Sequence, residues 1–257
     1  CSLSCLTLLK LSREIHRAAA VITDMGIKEI TQGFSVSDKT VCLIGCGGLG
    51  CNIAVHLVGA GIGKLYICDY DTVSESNLNR QFLYTETDIN KKKVITAEER
   101  LKAYGSSTKI VATYKRIEFC EDLAFARDSD IIILAVDNAE ARISVQNFCD
   151  KTDIPLVCGG IDGFYGVCYL YIPKVSPCPD CAGLNTPSKA RYNISSVAGV
   201  IGSLQANLAL RYLITEDTDL SGKLTVFDET EFSSLTIKAS QECTLCKQIY
   251  SRGDFNG

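Results

Sequence analysis

Thr40-Val-Cys-Leu-Ile44, followed by Gly45-Cys-Gly47-Gly48-Leu-Gly50 and then by Lys64-Leu-Tyr-Ile-Cys-Asp69, decides how this chain folds. The first run is a short apolar stretch of strand formers, the glycines force a tight turn, and the residues from about Gly48 to Val58 read as a helix. The third run is a second strand, and it ends on an acidic residue. Strand, glycine turn, helix and strand form the opening unit of a doubly wound parallel sheet.

Outward from this unit the alternation continues. Lys91 to Tyr104 reads as an amphipathic helix, Lys109 to Thr113 as a strand, Asp130-Ile-Ile-Ile-Leu-Ala-Val-Asp137 as a fully buried strand, Ala139 to Cys149 as a helix and Pro155 to Gly159 as a strand. From Gly160 the pattern changes. Residues 166–173, 222–228 and 234–238 read as antiparallel strands, and Ser195 to Thr215 as a helix between the first two. Upstream, Leu8, Leu11, Ile15, Ala18 and Ile22 recur at helical spacing on one face. The expected fold is α/β: a doubly wound, mostly parallel, Rossmann-like sheet with antiparallel C-terminal strands. It is read as one domain over 1–257, made of an N-terminal helical segment (1–36), a glycine-loop half (37–160) and a cysteine-pair half (161–257).

Composition narrows the function. With 257 residues, 46% hydrophobic and 22% charged, this is an ordinary globular chain, which excludes disorder, collagen and coiled coil. The net charge of −4 leaves no basic footprint for nucleic acid or lipid, so neither is an expected partner. Thr40 to Gly63 carries no formal charge and is long enough on paper to span a bilayer, but seven of its residues are glycines. That density marks two turns around a shorter helix. The uncharged stretch from Tyr192 to Leu210 is broken by Asn193, Ser195, Ser196, Ser203, Gln205 and Asn207 and reads as a buried helix. The chain starts at Cys1, as a mature lipoprotein would, yet its other features favour the cytoplasm.

Fourteen cysteines bring a secreted disulfide scaffold into consideration, and their placement opposes it. Cys42, Cys46, Cys51, Cys68, Cys149, Cys158 and Cys168 lie among apolar residues, where a free thiol behaves as a small hydrophobe. Cys178-Pro-Asp-Cys181 and Cys243-Thr-Leu-Cys246 are different. Each C-x-x-C turn places two thiolates on one metal, so two such turns make a Cys₄ zinc site whatever the length of chain between them.

The glycine loop follows a strand and opens a helix, the setting in which main-chain N–H groups and the helix dipole hold phosphate. Asp69, at the end of the next strand, is placed to accept ribose hydroxyls. These features alone fit an NAD-dependent dehydrogenase. The residues that follow do not: Asp69-x-Asp71 leads into Asn77-Leu-Asn-Arg80-Gln81, Lys93 opens the next helix, and Asp137 ends the buried strand. Two cations and a second carboxylate beside a triphosphate suit phosphoryl chemistry, with Arg80 and Lys93 neutralising phosphate charge and Asp137 holding Mg²⁺. Read singly, Arg80 and Lys93 are solvated charges and Asp137 is a helix cap; read together and in this order, they make a site.

These motifs, with Asp137-Asn138, Val200-Ile-Gly-Ser-Leu-Gln-Ala206 and the paired C-x-x-C, resemble the ThiF/MoeB/HesA family over roughly residues 10–250. The resemblance implies an ATP-dependent adenylyltransferase that activates the C-terminal carboxylate of a small ubiquitin-like sulfur-carrier protein ending in Gly-Gly. It further implies that Gly45, Gly47, Gly48, Gly50, Asp69, Asn77 and Gln81 bind ATP, that Arg80, Lys93 and Asp137 act on it with Mg²⁺, and that Cys178, Cys181, Cys243 and Cys246 bind Zn²⁺. A homodimer is implied too, with Arg17, and Arg13 as second choice, reaching the partner's ATP. The loop 182–193 carries no cysteine for thioester chemistry, and Cys120 and Cys158 read as core. Two substrate alternatives keep the chemistry: a ribosomal peptide, as in microcin-type members, or a modified transfer-RNA base.

Overall fold

The computed structural model describes residues 35–104, 107–186 and 192–246. The chain divides into Cys1–Ser35 and Val36–Gly257, and the architecture below is that of the second unit. The N-terminal helix read from the sequence, with Arg13 and Arg17, lies outside the described residues.

Eight strands form one sheet in the order β3-β2-β1-β4-β5-β6-β7-β8. The elements run β1 (Thr40–Ile44), α1 (Gly48–Gly59), β2 (Lys64–Asp69), α2 (Lys93–Lys102), β3 (Lys109–Tyr114), β4 (Ile131–Leu134), α3 (Ala139–Thr152), β5 (Leu156–Asp162), β6 (Tyr165–Tyr171), α4 (Ser195–Thr215), β7 (Lys223–Asp228) and β8 (Glu231–Thr236). Strands β3, β2, β1, β4 and β5 are parallel, and β6, β7 and β8 are antiparallel additions. The sheet is therefore the mixed, Rossmann-like one that the sequence predicts.

The central strands are apolar on both faces because both faces are covered. Leu43, Ile67, Ile133 and Val157 join one core with residues of α1, α2 and α4, while Ile44, Ile132, Leu134 and Cys158 join a second core with Val145, Phe148 and Cys149 of α3. From β1 the chain winds outward through β2 to β3, then returns to place β4 on the other side of β1. The two crossovers diverge between β1 and β4, and an open α/β sheet forms its ligand crevice at such a switch point.

Helix α4 is the one described helix long and apolar enough to cross a membrane, and its Val197, Ala198, Ile201, Gln205, Ala206 and Ala209 are buried against the protein instead. Glycines bring it close. A Cβ on Gly202 would stand 2.9 Å from the Leu49 carbonyl oxygen of α1, and one on Gly166 would stand 2.3 Å from Ile201 Cγ1.

Several boundaries differ from the sequence reading, among them that β5 runs on to Asp162 and α3 to Thr152, and two of the differences have a clear physical cause. The last strand is Glu231–Thr236 and not 234–238, because a tight turn through Glu229, at φ 52°, pairs Asp228 directly with Glu231. Strand β4 stops at Leu134, where its pairing with Ile44 ends, so that Ala135 to Asp137 leave the sheet as Gly45 does on the neighbouring strand.

Candidate active site

A cleft of about 1060 Å³ opens at the carboxyl ends of β2, β1, β4 and β5. Its walls include Gly45, Gly47, Gly48, Asp69, Asn77, Arg80, Gln81, Lys93 and Asp137, so nearly every candidate of the glycine-loop half converges there. Gly50 lies behind it.

The four loop glycines divide into two pairs. Gly45 has φ +95°, and a Cβ there would stand 2.5 Å from the Ala135 carbonyl oxygen; one on Gly50 would stand 2.1 Å from the Gly45 carbonyl oxygen. Both are required by backbone packing. Gly47 and Gly48 face the cleft, where an added Cβ meets only side-chain atoms at 3.4 Å or beyond. Gly47 is also the N-cap of α1 and has no side chain to cap it, which leaves first-turn N–H groups for an anion.

The loop is braced from two sides. The Cys46 N–H donates to Asp69 Oδ2 at 2.7 Å, and the buried Tyr84 hydroxyl donates to the Cys46 carbonyl at 2.8 Å. Asp69 Oδ1 accepts the Asp71 N–H at 2.8 Å. The carboxylate read as a ribose ligand lines the cleft and is oriented by two main-chain donors.

Lys93 is buried, and its Nζ lies 2.9 Å from Asp71 Oδ2. Asp71 is the partner that sequence reasoning left without a role, although the Asp69-x-Asp71 spacing was its signal. Arg80 Nη1 donates to the Ser76 carbonyl at 2.9 Å and to Asn79 Oδ1 at 2.8 Å. Asn77 Oδ1 accepts the Ser74 N–H at 3.1 Å, so toward a phosphate this residue has its amide N–H₂ to offer. Gln81 is buried on the cleft wall with its Oε1 unpaired among the described residues.

Asp137 is exposed, and among the described residues no cation lies within ion-pairing distance of it. The cap of α3 is its neighbour: Asn138 Oδ1 accepts the Ala141 N–H at 2.8 Å. Asp137 is therefore free of the capping role, and an exposed carboxylate on the cleft wall suits a hard divalent cation.

Sequence reasoning missed Arg142 and Gln205. Arg142 lies one turn into α3 and lines the cleft; its Nη2 donates to the Gly159 carbonyl at 2.8 Å. Burial pushes its guanidinium pKa down, against the pull of Cys158 and Asp137. Gln205 is fully buried and donates to the Leu134 carbonyl at 3.1 Å, filling the space beside Gly159.

Beyond the cleft, the Sγ atoms of Cys178, Cys181, Cys243 and Cys246 all lie within 4.8 Å of one another. Cys178 and Cys243 are 3.5 Å apart, and Cys181 and Cys246 are 3.7 Å apart. Around a tetrahedral zinc with Zn–S near 2.3 Å, thiolates sit roughly 3.8 Å from each other. The Cys178 N–H points to Cys246 Sγ at 3.2 Å and the Ser240 N–H to Cys181 Sγ at 3.3 Å, as donors around a metal-bound thiolate do. The donor set fits a closed Cys₄ ion.

Of the remaining thiols, Cys158 is buried, as read from the sequence, and burial pushes its pKa up to about 12. Cys120 packs at the edge of the second core: it is half-buried, at the start of a 3₁₀ turn, Cys120–Ala126, with Lys151 Nζ at 2.9 Å.

Known proteins resemble this chain over most of its length. Residues 23–248 match the ThiF family. The chain is 30% identical over 256 residues to the adenylyltransferase and sulfurtransferase MOCS3 of Culex quinquefasciatus, covering 95% of this chain and 57% of that protein. It is 32% identical over 221 residues to the sulfur carrier protein adenylyltransferase of Thermus thermophilus, covering 80% of this chain and 82% of that one. Among solved structures, E. coli MccB with ATP superposes with a TM-score of 0.73 at 24% identity, over 82% of this chain and 67% of that one, a likeness of fold. The chain spans little more than half the length of the MOCS3 relatives it matches.

Proposed function

The chain belongs to the ThiF family, and from that membership we propose that it is an ATP-dependent adenylyltransferase acting on the C-terminal carboxylate of a small ubiquitin-like sulfur-carrier protein ending in Gly-Gly. The observation that carries this reading is the convergence, in one cleft, of a cap-free glycine loop with Asp69 and Asp137 and with the cations Arg80, Lys93 and Arg142. The name of the Thermus thermophilus relative, which this chain covers for most of its length, supports the carrier as substrate over a peptide or a transfer-RNA base.

Across the sheet the site is ordered. In this reading Asp69 at the end of β2 takes the ribose, Gly47 and Gly48 after β1 take the phosphates and Asp137 after β4 takes Mg²⁺, with Asn77 and Gln81, which line the same cleft, on the phosphate side. Mg²⁺ held there would shield the triphosphate charge. The carboxylate attacks the α-phosphorus in line, the bond to the bridging oxygen breaks, and pyrophosphate leaves, with Lys93 and Arg80 countering the charge that develops. No proton has to move. Zn²⁺ on the four cysteines is structural, because four thiolates leave no position for water.

The assembly we infer is a homodimer in which Arg17 of each chain reaches its partner's ATP. We place the protein in the cytoplasm, where reduced thiols suit its free cysteines. The test is pyrophosphate exchange: with ATP, Mg²⁺ and carrier, labelled pyrophosphate enters ATP, whereas NADH binds no better than to a control protein. Tight NADH binding without exchange supports the dehydrogenase instead, which leaves Arg80, Lys93 and the cysteine pairs without a use.

A further inference from the structure

The cations lining the cleft are not equivalent. Lys93 is neutralised by Asp71, and Lys115 by Asp122 at 2.7 Å. Arg80 lies against the glycine loop, its stem 3.4 Å from where a Cβ of Gly48 would be. Arg142 is partly buried, and among the described residues no carboxylate stands within 4.0 Å of it; its partners are the carbonyls of Gly159, at 2.8 Å, and Leu184, at 3.5 Å. A guanidinium has five donors in a planar fork, and two carbonyls leave that fork incomplete. A desolvated cation without a counter-charge is costly, and an arriving anion relieves the cost.

Its place in the sheet says which anion. The cleft runs from Asp69 on β2, past the glycine loop on β1 and Asp137 on β4, to Gly159 and Gly160 on β5. Arg142 lies at the β5 end, across Asp137 from the ribose and phosphate positions. Gly160 beside it has no side chain, and a Cβ there would stand 3.7 Å from Arg142 Nη2, so a thin extended tail can reach the guanidinium.

We propose that Arg142 receives the C-terminal carboxylate that is to be adenylated. This rests on the adenylyltransferase reading above and names the group that selects a free acid. One carboxylate oxygen is held by the guanidinium; the other forms the bond to the α-phosphorus as pyrophosphate leaves. The positive charge also lessens the repulsion between carboxylate and triphosphate.

The experiment uses a small ubiquitin-like carrier protein prepared with its Gly-Gly terminus as free acid and as amide. Each is titrated against the 257-residue chain saturated with a non-hydrolysable ATP analogue. The wild type binds the free acid about tenfold more tightly than the amide, the effect of one charge-assisted hydrogen-bond pair. Arg142→Ala binds both forms equally, with unchanged affinity for the ATP analogue, and Arg142→Lys keeps part of the preference. A preference that survives in Arg142→Ala overturns the proposal, as does the absence of any preference in the wild type. Parallel loss of ATP-analogue affinity overturns it too, since the guanidinium then serves the triphosphate. If Arg142→Ala does not fold, the Arg142 Nε–H resonance of the wild type, assigned by its loss in Arg142→Lys, decides: it moves with the acid and not with the amide, and a resonance that ignores both contradicts the proposal. Wild-type pyrophosphate exchange, measured alongside, separates the two claims. Acid preference without exchange sinks adenylation and leaves the carboxylate site standing.

Discussion

The Lys93 ammonium and the Asp71 carboxylate are 2.9 Å apart, with the lysine buried and the aspartate largely exposed. The pair keeps a charged lysine at the cleft wall, where a phosphate can share or take over the contact. Lys93→Ala is expected to lower turnover by about 10² to 10³, the usual loss when one donor to a developing charge is removed, with a much smaller change in ATP affinity. Steady-state kinetics read this directly, and loss of affinity alone would make Lys93 a ground-state ligand.

The two glycine pairs should separate under substitution. Gly45→Ala forces a side chain at φ +95° against the Ala135 carbonyl, and strain of that kind costs about 1–3 kcal/mol. Thermal unfolding should register the loss. Gly47→Ala has room and should fold normally, while the added methyl obstructs the phosphate approach and weakens nucleotide binding. Equal stability losses at the two positions would remove the distinction.

Zinc should be part of the folded protein. Metal analysis is expected to give about one zinc per chain, and Cys243→Ser to lower the melting temperature by several degrees. Zinc-free protein of unchanged stability contradicts a structural ion.

Two inactive variants test the role of Arg17 across the dimer. When Arg17→Ala and Asp137→Ala exchange subunits, a mixed dimer has one site with both defects and one with neither, so activity partly returns. If Arg17 acts within its own chain, each site keeps one defect and the mixture stays inactive.

Much of this was legible in the sequence because its signals are local. The apolar runs at Val41–Ile44 and Ile131–Leu134, the glycine turn and the helix from Ser195 to Thr215 follow from patterning, and the last matches the structure residue for residue. What escaped depends on distant contacts. Arg142 reads as a solvated helical charge until Gly159 is seen beside it; its one signal is the position four residues beyond the Asn138 cap on a helix that starts in the cleft. No motif marks Tyr84, and only the fold shows its hydroxyl on the Cys46 carbonyl. Asp71 gained its role from a lysine on another element, and the hairpin register from the backbone at Glu229.

Following the label of ATP onto the carrier tests adenylation most directly. The chain is incubated with Mg²⁺, a Gly-Gly carrier and ATP labelled at either the α- or the γ-phosphate, and the carrier is isolated at acid pH. The account predicts that α-label travels with the carrier, in a form that hydroxylamine releases as AMP, while γ-label leaves as pyrophosphate. Gamma-label on the carrier, or no label from either nucleotide, would contradict it.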